Sequence, residues 1–337
     1  MKFKAAILLG KRSVEIDYIK LSEPLSSGQV LVKMNTSGVC GKQLEEYTQK
    51  MGNDVFLPHL FGHEGFGEVV ETHNSVTSVK VGDEVVAHWR KGVGINSATP
   101  NYKRGEQKIN AGWITTFSEY SIISENRLTK IDDGANPHWA ALLGCAATTG
   151  IGAVINEAQV KPYHDVLVVG AGGVGSFVIA ASKLVHANTL DVLCLKLNPI
   201  IEKLISSVNG DFFTNKNKIT KKYDHVFVTP GSAKALEAGF EFCRDGGLLS
   251  VIGVPSPDDI SNLKTLDLHR NRRINGSSGG NIEPERDIAR YYKFFKDNLI
   301  SPDDFIDGVY KIEDLPSILN KLENGLINGR ALISFQN

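Results

Sequence analysis

Hydrophobic positions change their period along this chain. In the first part they come in short runs, several of them alternating with polar residues and bounded by Gly, Asp or Asn. "MKFKAAILLG", "QVLVKMNTSGV", "GFGEVVET" and "GDEVVAHW" are such runs, and each predicts a strand. From "HWAALLGCAATTGIGAVI" onward the period switches back and forth. "DVLVVG" predicts a buried strand, "SFVIAASKLV" a helix and "LDVLCLKL" a second strand. "IEKLISSV", "YDHVFVTPG", "KALEAGFEFCRDG" and "GLLSVIGVP" continue the alternation. Alternating strands and helices predict βαβ units and a parallel sheet. Two further helices are expected in "PERDIARYYKFFKDNL" and "IEDLPSILNKLENG", then a strand in "RALISF". The stretch from His88 to Trp113 fits neither period and predicts a long, functional or disordered loop.

Composition narrows the class without naming it. The chain has 337 residues, 42% hydrophobic and 22% charged, which is enough for two domains of an ordinary globular protein. A net charge of -1 gives no reason to expect nucleic-acid binding. No apolar run reaches the roughly 20 residues of a membrane helix, and the start returns to charge too soon for a secretory signal. Four cysteines in this length make no disulfide framework, so the expected setting is the cytoplasm, with reduced thiols and no membrane partner.

Candidate chemistry sits at glycine-rich turns. "VLVVGAGGVG" sets Gly170, Gly172 and Gly175 in the spacing of a dinucleotide loop, between a strand and a helix. The first glycine makes the turn, the second admits a pyrophosphate and the third lets helix pack on strand. The next strand then lacks the acid that binds the ribose hydroxyls of NAD. Lys196 stands nearest that position with Asn198 behind it, and a lysine there points to NADP rather than NAD. Cys194 is the alternative occupant. Cys40, His63 and Cys145 form a second candidate set. Two thiolates and an imidazole suit a catalytic zinc with one open position, and Glu64 adjoins His63 as a further ligand. Each also has a plain reading, since a free Cys or a lone His is more often structural.

Together these stretches give a resemblance. "SGVCGKQL", "GHEGFGEVVE" and "LGCAATTG" resemble the three ligand segments of the zinc-dependent medium-chain dehydrogenases/reductases, the alcohol dehydrogenase superfamily. "VVGAGGVG" is similar to its coenzyme loop, and "TTFSEYSIISEN", "VIGVP" and "GRALISF" follow in the same order. The resemblance implies an α/β fold: a GroES-like, β-rich catalytic domain of residues 1–146 and 277–337, and a Rossmann coenzyme domain of residues 147–276. It implies one catalytic zinc on Cys40, His63 and Cys145, with Glu64 as a nearby or alternate ligand. Gly170, Gly172, Gly173, Val174 and Gly175 would form the coenzyme loop. Val174 and Thr149 would pack behind the nicotinamide, Val254 and Ser277 would lie at its end, and Arg330 would reach the pyrophosphate. The implied reaction moves a hydride between NAD(P) and a small alcohol or carbonyl substrate, a class that includes sugars, polyols and their phosphorylated derivatives. A homodimer or homotetramer is implied as well.

Three departures from the family pattern stand out. No cysteine lies between Cys40 and Cys145, so no structural zinc is expected. Lys42 replaces the hydroxyl that relays the alcohol proton, and Gln43 replaces an acid behind the zinc histidine; a neutral amide holds a histidine less firmly than a carboxylate, so a weakened metal affinity is expected. Lys42 has three readings: a general acid/base with a pKa lowered by burial, an anchor for an anionic substrate, or no chemical role. Arg90, Lys91, Lys103, Arg104, Arg270, Arg272 and Arg273 form either a solvated basic surface or an anion site. Two other functions use the same scaffold: a zinc-free NADPH-dependent quinone or enone reductase, and a non-catalytic coenzyme-binding sensor.

Overall fold

The computed structural model describes residues 1–205 and 210–336. The chain divides into two compact units. One comprises Met1–Cys145, Glu283–Lys296 and Ile306–Asn337, and the other Ala146–Ile282 and Asp297–Phe305.

The first unit holds two β-structures. Strands Lys2–Gly10, Ser13–Leu21, Asn101–Arg104, Gln107–Asn110 and His59–Leu60 close a barrel in that order. Phe3, Ala5 and Ile7 alternate into a core with Ile19, Leu60, Tyr102 and Ile109. The expected long loop therefore contains a hairpin, because Tyr102 and Ile109 supply an inward face that its many charges hide in the sequence. The Tyr102 hydroxyl also accepts the Ile122 N–H at 2.8 Å. The second sheet runs Leu128–Lys130, Glu84–His88, Glu64–Thr72, Gln29–Val39, Arg330–Ser334 and Ile306–Tyr310. Tyr120–Ser124 pairs with Gln29–Val39 as well. Arg330–Ser334 joins antiparallel, with Ala331 opposite Val39, so residues far apart in sequence complete one sheet.

The irregular residues ahead of the hairpin are pinned by one carboxylate. Glu125, 1% exposed, accepts N–H bonds from Thr77 at 2.8 Å, Ser78 at 2.9 Å and Ile95 at 2.8 Å. Burial works to raise its pKa, but these donors outweigh it and hold the carboxyl below the ordinary range.

The second unit is a six-stranded sheet, all parallel. Its strands lie in the order Phe212–Phe213, Thr189–Leu193, Asp165–Val169, Tyr223–Val228, Cys243–Val251 and Arg273–Gly276. By sequence that is third, second, first, fourth, fifth, sixth, the order of the Rossmann fold. Val166, Leu167 and Val168 are fully buried, as expected of a strand covered on both faces. "LDVLCLKL" is strand only as far as Leu193, which leaves Lys196 exposed beyond the strand. The end of "IEKLISSV" lies outside the described residues, and the helix is described over Pro199–Ile205. The arginines of the last strand region are partnered. Arg272 pairs with Asp245 at 3.1 Å and Asp267 at 3.2 Å, and the Arg273 guanidinium donates to the Gly246 carbonyl at 3.2 Å. Among the described residues no helix is long and apolar enough to cross a membrane.

Candidate metal centre and coenzyme loop

Cys40 sits where the long strand Gln29–Val39 gives way to helix Gly41–Thr48. Its extended backbone makes it the helix N-cap, and its sulfur accepts the Lys42 N–H at 3.3 Å. The Gln43 carbonyl oxygen reaches back to accept the Cys40 N–H at 3.0 Å. His63 stands just before strand Glu64–Thr72 and brings its Nε2 within 3.2 Å of the Cys40 Sγ. Cys145 follows helix Pro137–Leu142 and Gly144. A Cβ at position 144 would lie 2.4 Å from the Ala87 carbonyl oxygen and 2.7 Å from the Glu64 Cα, so glycine is what lets this segment close on the sheet. The ligand atoms of Cys40, His63 and Cys145 all lie within 4.8 Å of one another. Two soft sulfurs and one imidazole nitrogen at that spacing fit a tetrahedral zinc with one position left open.

The surroundings favour a thiolate. A hydrogen bond from the Cys145 thiol pulls the Cys40 pKa well below its usual value, against burial, and His63 and Arg330 add to the pull. Glu64 is fully buried and turns its carboxylate to the guanidinium of Arg330, itself only 4% exposed. Arg330, the residue expected at the pyrophosphate, is thus engaged with Glu64 of its own unit. Glu64 is not part of the three-ligand group.

Lys42 is only half-buried. Its ammonium meets Glu45 Oε2 at 3.2 Å, and Lys50 reaches the other oxygen at 3.7 Å. The burial that the acid/base reading of Lys42 calls for is absent, while the other two readings do not need it. Gln43, by contrast, is fully buried and directs its amide nitrogen to His63 Nδ1. Sequence reasoning missed Glu46, one helical turn after Lys42. Burial raises its pKa, while His63, His59 and Lys42 oppose the shift. Four-residue spacing on the helix was the available signal. His59, close by in this electrostatic cluster, is held by Asp54 at 2.7 Å.

In the second unit the glycine loop links strand Asp165–Val169 to helix Gly173–Leu184. Gly172 caps that helix with no side-chain bond, so its first N–H groups are left for a ligand. A Cβ at Gly172 would meet nothing, whereas one at Gly175 would lie 2.3 Å from the Gly170 carbonyl oxygen. Thr149 lies in helix Ala146–Gly152, whose Gly150 allows close approach to the Val174 carbonyl. Val254 is half-exposed, and the Ser277 hydroxyl accepts the Gly280 N–H at 3.3 Å. Asn198 uses its side-chain oxygen to cap the next helix, accepting the Ile201 N–H at 2.9 Å.

Residues 26–133 match the family model described as the alcohol dehydrogenase GroES-like domain. An S-(hydroxymethyl)glutathione dehydrogenase of Photobacterium damsela subsp. piscicida is 29% identical over 324 residues, covering 84% of this chain and 86% of its own length. Two solved structures superimpose over 100% of both chains. An alcohol dehydrogenase zinc-binding domain protein from Burkholderia ambifaria has a TM-score of 0.89 at 19% identity. A benzyl alcohol dehydrogenase from Acinetobacter calcoaceticus has a TM-score of 0.86 at 22% identity. At those identities the likeness to the two structures is one of fold.

Proposed function

From the premise that this chain belongs to the medium-chain dehydrogenase/reductase superfamily, we propose that it is an NAD(P)-dependent alcohol dehydrogenase with zinc at Cys40, His63 and Cys145. The observation that carries the reading is the convergence of those three side chains from separate segments. A zinc held by Cys40, His63 and Cys145 would supply a Lewis acid for an alcohol or carbonyl oxygen, and a coenzyme held at the glycine loop would supply hydride chemistry.

The chain's own residues do the preparing. Cys145 and the Lys42 N–H hold the Cys40 sulfur in place and favour its anionic form. Gly144 brings Cys145 to the sheet, and the Glu64–Arg330 pair fills the space behind. At the coenzyme loop, Gly172 leaves room for the pyrophosphate and the helix N-terminus offers N–H donors. Lys42, half-exposed beside Cys40, is assigned contact with a hydroxyl or anionic group of the substrate, which suits a sugar, polyol or phosphorylated derivative. Lys196, exposed past the second strand, supports NADP over NAD. The missing cysteines between Cys40 and Cys145 support one zinc per chain. A cytoplasmic homodimer or homotetramer completes the proposal.

Metal analysis and turnover test it together. The purified protein should carry about one zinc per chain and reduce NADP with at least one member of an alcohol and polyol panel. Cys40→Ser should lose zinc and, with it, about 100-fold or more of turnover, the scale of losing a main electrostatic contribution. Full turnover by Cys40→Ser on any accepted alcohol would refute the zinc mechanism.

A further inference from the structure

We infer that Gln43 holds His63 in the tautomer that carries its proton on Nε2, the nitrogen a metal must take, and so lowers this chain's affinity for zinc. The inference rests on the metal reading above.

An amide offers one oxygen that only accepts and one nitrogen that only donates. The Cys40 N–H, 3.0 Å from Gln43, fixes which is which, because only the oxygen satisfies it. Turning the amide over would set two donors face to face at a fully buried position, where an unsatisfied N–H costs about 1–3 kcal/mol. The Gln43 nitrogen therefore donates to His63 Nδ1. A ring whose Nδ1 accepts a hydrogen bond can carry a proton only on Nε2. Nε2 faces the Cys40 sulfur at 3.2 Å and donates to it.

Three hydrogen bonds thus run in one direction and close a ring. Cys40 donates to Gln43, Gln43 to His63 and His63 back to Cys40. Each group is satisfied without metal, and the proton occupies the metal's place. For zinc to bind Nε2, the proton must move to Nδ1 and the amide must reverse, which strands the Cys40 N–H. A carboxylate at 43 has no such conflict, since its two oxygens accept from both Cys40 and Nδ1–H. Gln43 acts here as a positioning residue: it touches no substrate and works through His63.

Two measurements decide this. In the metal-free protein, the ring 15N shifts of His63 should show Nδ1 as the acceptor and Nε2 as the protonated nitrogen. In chelator competition, Gln43→Glu should bind zinc about 10–100-fold more tightly than the parent, the usual scale for partners of a ligating histidine. Gln43→Asp serves as the second variant if the glutamate does not fold. Protonated Nδ1 in the parent, or equal zinc affinity in parent and variants, would overturn the inference alone. Zinc bound by none of them would overturn the metal reading and the affinity claim with it.

Discussion

Gly172 and Gly175 lie within one helical turn, yet a methyl group means something different at each. At Gly172 it meets open space, and at Gly175 it meets a backbone oxygen at 2.3 Å. Gly172→Ala should leave the urea midpoint nearly unchanged, within about 0.5 kcal/mol, because its backbone angles suit any residue. It should still weaken coenzyme binding tenfold or more, since the methyl takes the ligand's space. Gly175→Ala should cost about 1–3 kcal/mol of stability as well as coenzyme affinity. Melting and coenzyme titration of both variants check this, and equal stability losses would count against it. Spacing made the loop glycines legible in the sequence, and residue type together with the family resemblance did so for the three metal candidates and for Gln43 as the partner behind the histidine. The direction of the hydrogen-bond ring was not legible, because it depends on the Cys40 N–H and on which face of a short helix is buried. Glu46 was hidden for the same reason.

Among elements, the segment from His88 to Trp113 taught the most. Its charge suggested a long loop, but Tyr102 and Ile109 give it a hairpin that closes the barrel. One buried residue per strand is too weak a period to register. The strands with four or more apolar residues were read within a few positions of their true limits. "LDVLCLKL" was the overreach, since its apolar pattern runs past the last residue of the strand, Leu193. The irregular part of His88–Trp113 depends on Glu125. Glu125→Gln should cost about 1–3 kcal/mol at neutral pH through weakened bonds to Thr77, Ser78 and Ile95. The folded carboxyl titrates below its unfolded value of about 4.3. Its stabilisation is therefore complete above that value and lost as pH falls through the lower, folded one. The gap between parent and variant in urea melts should be widest near pH 7 and shrink below pH 4. A gap independent of pH would exclude the charged bonds as its source.

For the whole molecule, the three metal candidates and the coenzyme loop fall in different units. Cys40, His63 and Cys145 belong to one compact unit, and the glycine loop to the other. Zinc should raise the melting of the first unit and coenzyme that of the second. A ligand at a hundredfold excess over its dissociation constant adds about 2.7 kcal/mol to what it binds. Calorimetry with each ligand separately should move different parts of the trace, and a single peak moved identically by both would contradict this. The antiparallel pairing of Ala331 with Val39 also sets an order in time. During synthesis the Rossmann strands emerge as one nearly continuous stretch and have their partners as soon as residue 276 is made. Most of strand Gln29–Val39 has its partners once residue 124 is made, but its last residues, Thr36 to Val39, wait for residues 331–334. The strand end that leads into Cys40 is thus among the last parts of this sheet to gain its full set of neighbours as the chain grows.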